Sequence, residues 1–96
     1  MSEVVEKAIG ALKEKLGDQT LPSSAKFVIR GEGSVRVDST GVSADDSEAD
    51  VTLTADLDTF EGIITGNMNP TTAFMTGKLK IEGDMGVAMK LGALLA

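Results

Sequence analysis

"KFVIRGEGSVRVDSTGV" runs from Lys26 to Val42, and its alternation decides the fold class. Phe27 and Ile29 alternate with Lys26, Val28 and Arg30, and Val35 and Val37 with Ser34, Arg36 and Asp38. A period of two predicts strands that are buried on one face and wet on the other. Gly31-Glu32-Gly33 supplies a turn between the first two strands, and Ser39-Thr40-Gly41 leads into a short third one near Val42 to Ala44. "DVTLTA" repeats the pattern with Val51 and Leu53. The expectation is an antiparallel meander with one solvated face.

Helical spacing appears on both sides of these strands. Over residues 2–16, Val5, Ile9, Leu12 and Leu16 share one face, with Ser2 as N-cap, Glu3 and Glu6 in the first turn and Gly17 at the end. "LGDQTLPSS" then reads as a loop. In "DLDTFEGIITG", Asp56 is placed to cap a helix that turns Leu57, Phe60, Ile63 and Ile64 inward and stops at Gly66. "NPTTAFMTG" does the same in miniature, with Asn69 as cap, Pro70 in the first helical position and Gly77 as terminator. "KLKIEG" is one more strand, with Leu79 and Ile81 inward, and Asp84 caps a last helix. The order helix, strands, helices, strand, helix indicates an α+β fold, with helices over one face of a largely antiparallel sheet. No repeat or composition shift divides the chain, so residues 1–96 are expected to form a single domain.

Composition excludes several kinds of chemistry. Cys and His are both absent, which removes thiol nucleophiles, disulfides, Ser-His relays and nearly all zinc-site patterns. Ser23, Ser24 and the Thr71-Thr72 pair have no base beside them in the sequence. Gly31-x-Gly33 joins two strands, so it is no phosphate loop. Asp46, Glu48 and Asp50 have calcium-like spacing, but Val51 stands where an EF-hand needs glycine and Leu57 where it needs its last acid. The expectation is a non-enzyme without cofactor or metal. With a net charge of −6, and eight acidic residues but no Lys or Arg between Val37 and Gly77, nucleic acid is excluded as a partner. That acidic stretch reads as a solvated surface. The charged N-terminus is neither signal peptide nor membrane span, which leaves the cytoplasm as the expected compartment.

The last helix is unusual. From Met85 to Ala96 its only charged side chain is Lys90. At 100° per residue, Met85, Ala88, Met89, Gly92 and Leu95 gather on one side and Val87, Leu91 and Leu94 on nearly the opposite one. Two apolar stripes require two apolar neighbours: the core on one side and, on the other, more core, a ligand cavity or a second subunit. Methionine, unbranched and polarizable, suits a wall that adapts to ligands of varied shape.

At these residues the chain resembles a known family. The run "GNMNP..AF..GKLKI.GDM..AMKL", Gly66 to Leu91, closely resembles the corresponding stretch of the sterol carrier protein 2 family, and residues 1–55 follow the same order of elements. The resemblance implies a five-stranded sheet covered by helices around an apolar tunnel. The tunnel would accept fatty acids, fatty acyl-CoA, phospholipids or sterols, with the C-terminal helix as wall or lid. It implies a pool of lining residues: Phe60, Ile64, Met68, Phe74, Met75, Leu79, Ile81, Met85, Ala88, Met89 and Leu95. Lys78, Lys80 or Lys90 could meet a ligand headgroup at the mouth. A carboxylate at Met85 or Met89 is expected to be buried and to abolish uptake. Peroxisomal members of the family end in a Lys-Leu type tripeptide, whereas this sequence ends Leu94-Leu95-Ala96, so the resemblance does not extend to a peroxisomal address. The acidic middle limits membrane contact to transient encounters. The alternative reading is a homodimer or interaction module built on the last helix.

Overall fold

The structure is a computed structural model that describes residues 3–95. Ser2 and Ala96, which the sequence reading made an N-cap and the end of the C-terminal tripeptide, lie outside the described residues. The elements run α1 Glu3–Leu16, β1 Ala25–Ile29, β2 Gly33–Asp38, β3 Gly41–Ser43, β4 Val51–Ala55, α2 Leu57–Thr65, α3 Pro70–Met75, β5 Leu79–Gly83 and α4 Met85–Leu95.

The strands form one sheet in the order β3-β2-β1-β4-β5. β1, β2 and β3 make the expected antiparallel meander. β4 departs from the antiparallel pattern: it lies parallel to β1, with Ala25 opposite Val51 and Ile29 opposite Ala55, so the sheet is mixed. The reason is the path taken after β3. The segment 44–50 crosses the polar face of the sheet and delivers the chain to the far side of β1. Lys26 Nζ donates to the Asp46 carbonyl at 3.1 Å and to its Oδ1 at 3.4 Å, and Ser34 Oγ donates to the same Oδ1 at 2.9 Å. Arg36 Nη1 donates to the Glu48 carbonyl. The acidic stretch read as a solvated surface is therefore tied to the sheet by its backbone and by Asp46, although most of its side chains are exposed.

The other face carries the core. Ala25, Phe27, Ile29, Val35, Val37, Val51, Leu53, Ala55 and Leu79 are all buried, as the alternation predicts. Across them lies α1, contributing Val5, Ala8, Leu12 and Leu16, with acids in its first turn and lysines in its last as the helix dipole favours. Its close approach to β2 depends on Gly33, whose φ is +150° and whose added Cβ would sit 2.7 Å from Val5 Cγ2. Leu21, in the loop before β1, is fully buried and pins that connection to the core. Burial of this cluster, at roughly 25 cal/mol per Å² of apolar surface, is what drives the chain to fold.

Candidate functional site

Under α4 the apolar face of the sheet is incompletely filled, and a cavity of about 460 Å³ remains. Its floor is a row set by strand register: Phe27 of β1 lies opposite Leu53 of β4, which lies opposite Ile81 of β5. Leu79, one step along β5, joins them. Ile63 of α2 also lines it, and Asn69, Pro70, Thr71 and Phe74 form a wall from α3 and its cap. The roof is α4, through Met85, Ala88, Met89, Leu91, Gly92, Ala93 and Leu95.

Local sequence chemistry places each wall. Asp56 caps α2, its Oδ1 accepting the Thr59 N–H at 2.8 Å, and Gly66 ends that helix in the left-handed conformation. Asn69 Oδ1 accepts from Thr71 N at 2.8 Å and from Thr72 N at 3.3 Å, with Pro70 in the first turn of α3. Asp84 Oδ1 accepts from Gly86 N at 2.8 Å and Val87 N at 3.2 Å and starts α4. These three caps are as the sequence predicts. The hydrogen bonds to Thr59 hold the Asp56 carboxyl below its ordinary pKa.

Among the described residues, the lining has no ionisable side chain. Among the described residues, no buried side-chain nitrogen or oxygen lacks a hydrogen-bond partner, so the cavity presents an occupant with no buried side-chain polar group in need of one. What it offers is apolar surface with an amide and a hydroxyl, Asn69 and Thr71, in its wall. None of Lys78, Lys80 and Lys90 lines it; all three are exposed, and Lys80 pairs with Glu82 at 3.1 Å on the polar face of the sheet.

Of the residues singled out from the sequence, Phe74, Leu79, Ile81, Met85, Ala88, Met89 and Leu95 come together around this cavity. Phe60 and Ile64 line a different hollow, of about 440 Å³, between α1 and α2. Met68 is half-buried over Gly62 and packs against the core, while Met75 is 78% exposed and borders neither space. One expectation needs correction: Met89 is 74% exposed and Met85 47%, so neither is a buried position. They sit where the roof meets solvent, with Phe74 at 43% across from them. The two stripes of α4 are not cleanly divided. Val87 and Leu91 are buried in the core, with Leu91 also reaching the cavity, Leu94 is half-buried against that core, and the methionine stripe borders the cavity.

Sequence reasoning left out Phe27, Leu53 and Ile63, because alternation and helical spacing show that a side chain points inward without showing what it meets there. Gly92 and Ala93 signal by small size: a roof helix lacking bulk at successive positions leaves space below it.

An α+β sheet whose helices close over a largely apolar space defines a class of protein with an enclosed binding cavity. The model of the SCP-2 sterol transfer family matches residues 3–96, and the chain belongs to that family. Sterol carrier protein 2 of Gallus gallus is 44% identical over 93 residues, covering 93% of this chain but only 16% of that protein, so the chain spans a small part of its relative's length. Among solved structures, the sterol carrier protein domain 2 of Helicoverpa armigera matches with a TM-score of 0.77 at 30% identity, over 96% of this chain and 85% of that one. Sterol Carrier Protein-2 of Aedes aegypti, in complex with the C16 fatty acid palmitate, matches with a TM-score of 0.76 over 100% of this chain and 97% of that one. At 20% identity, that second likeness is one of fold.

Proposed function

We propose that the chain binds and carries lipids with long apolar chains, namely fatty acids and fatty acyl-CoA and, by extension, phospholipids or sterols, in the cavity under α4. The observation that carries this reading is the lining itself: about 460 Å³ bounded by strand and helix side chains, apolar apart from Asn69 and Thr71, with no ionisable side chain among the described residues. Ligand pockets fall in the range of roughly 300–1,000 Å³ and are mostly apolar, with few polar groups. The palmitate held by the Aedes aegypti protein of the same fold supports the same ligand class.

The energetics favour a carrier. Each methylene leaving water gains about 0.8 kcal/mol, so a long chain gains on the order of 10 kcal/mol before entropy and headgroup losses. Binding of this kind needs no catalytic residue. The headgroup stays at the mouth, beside Phe74, Met85 and Met89, where those exposed side chains touch a bilayer transiently as the ligand passes. The cytoplasm is the compartment this reading assigns.

The same exposed rim favours a second reading, a homodimer that buries Phe74, Met85 and Met89 between copies. One experiment separates them: displacement of a fluorescent fatty acid from delipidated protein by unlabelled chains of increasing length, alongside light scattering for mass. Saturable one-site displacement by a monomer is the expected result. A stable dimer that displaces nothing would remove the carrier reading.

A further inference from the structure

Helix α2 faces two ways. Ile63 lines the cavity under α4, whereas Phe60 and Ile64 line the hollow between α1 and α2. No described residue lines both spaces, yet they are close neighbours. Phe27, in the wall of the first, meets Phe60, in the wall of the second, edge to face, with ring centroids 5.3 Å apart and planes at 72°. Both rings are buried. Two hollows of about 460 and 440 Å³ are thus separated at this point by one aromatic pair.

We propose that the Phe27–Phe60 pair is an end wall that sets the acyl-chain length the protein accepts, with Phe60 as the specificity-determining residue. The α1–α2 hollow is then room into which a longer chain would extend if the wall were thinned. This rests on the reading of the α4 cavity as an acyl-chain site. Affinity grows about fourfold for each methylene that finds apolar surface. It stops growing where the chain meets close-packed side chains, because such packing does not yield to a further carbon without strain. Of the two rings, Phe27 is fixed by the sheet, paired with Val35 on one side and Leu53 on the other. Phe60 stands on a single helix with open space beside it, so the residue at position 60 decides whether the spaces join. Ala11 of α1 lines that hollow without touching the first cavity, and enlarging it refills the room.

The test measures displacement of a fluorescent fatty acid by saturated acids of increasing length, for the parent, Phe60→Leu, Ala11→Phe and the double variant, with folding followed by circular dichroism. In the parent, affinity should rise about fourfold per carbon and then level off. Phe60→Leu, which keeps an apolar side chain in place, should move the levelling point to chains about two carbons longer, since it trades an aromatic ring for a shorter side chain. Adding Ala11→Phe should move it back. Ala11→Phe alone should change nothing at any length, because the parent's ligand ends before the wall; a loss of long-chain binding there would show that the ligand already passes it and would overturn the proposal, even if the Phe60 variants did not fold. A levelling point unmoved in folded Phe60→Leu, with short chains bound as by the parent, overturns the wall alone. Absence of binding at every length in the parent overturns the carrier reading and this proposal with it.

Discussion

The two faces of the sheet are covered by different means. Over the polar face, the segment 44–50 is fastened by hydrogen bonds from Lys26, Ser34 and Arg36. It is completed at its end by Asp50, which exchanges bonds with Ser24: the Ser24 N–H donates to Asp50 Oδ2 at 3.1 Å, and the Asp50 N–H to Ser24 Oγ at 2.9 Å. Over the apolar face, the helices are seated by the packing of their buried side chains, and under α4 that packing is incomplete. Directional bonds let seven residues secure one side of a sheet. Packing must be area-matched to close a side, and a roof containing Ala88, Gly92 and Ala93 is not. The cavity is the result of a mismatch in bulk that sits on otherwise well-buried strands.

The difference can be broken most forcefully at Leu91, which is fully buried and also borders the cavity. Leu91→Ala should cost about 2–5 kcal/mol in urea unfolding; a loss below about 1 kcal/mol would mean that α4 does not secure the apolar face. Next in size is Gly83, at φ +110° at the end of β5, where an added Cβ would collide with the Asp50 carbonyl oxygen. That carbonyl accepts the Asp84 N–H at 2.8 Å, so Gly83→Ala strains the junction between the polar segment and α4 at once. Backbone strain alone should cost about 1–3 kcal/mol, readable as a lowered thermal midpoint with an unchanged fold.

Met89→Glu sharpens the comparison from the ligand's side. Because the position is solvent-facing, stability should change by no more than about 0.5 kcal/mol. Fatty-acid affinity should fall a few-fold, on the order of 1 kcal/mol of repulsion between the new carboxylate and the ligand's. Complete loss of binding in a folded variant would show that α4 turns this side chain inward when loaded. The smallest effect is one of pH. The Ser34 hydroxyl, and then Lys26, hold the Asp46 carboxyl below its ordinary pKa. A carboxylate with a depressed folded pKa contributes stability above its unfolded value and loses it as pH falls through the folded one. Amide exchange in residues 44–50 should therefore accelerate only below the usual carboxylate range. The cavity lining, with no titratable side chain among its described residues, should keep its affinity for an uncharged long-chain alcohol across the same range. Parallel acid sensitivity of both would mean that the two faces are coupled.

How far the sequence alone reveals this molecule depends on the range over which each signal acts. Asp56, Asn69 and Asp84 announce their helices because a cap is satisfied within three residues. The strands announce themselves by the alternation of Phe27, Ile29, Val35 and Val37, which is also local. The parallel pairing of β4 does not, since "DVTLTA" reads identically whichever way its neighbour runs. Met85 and Met89 appear on a single apolar stripe with Ala88 and Leu95, and the stripe is real. Only the tertiary arrangement, however, decides that the first two end at the edge of the roof and the others beneath it. Resemblance groups Phe60 with the lining. It lies one aromatic ring beyond it, a distance that no periodicity can resolve.

The strand order has a consequence for crowded conditions. A sheet ordered β3-β2-β1-β4-β5 is open at both ends, and an open strand is a template for pairing with another copy. Here one edge, β3, is only three residues long, and the other, β5, alternates Lys80 and Glu82 outward with α3 packed beside it. Neither offers a flat, uncharged ladder, so the route to fibrillar association is blocked at both ends. Whatever self-association occurs at high concentration should then be reversible and detergent-sensitive, arising from the methionine-edged mouth instead of the backbone.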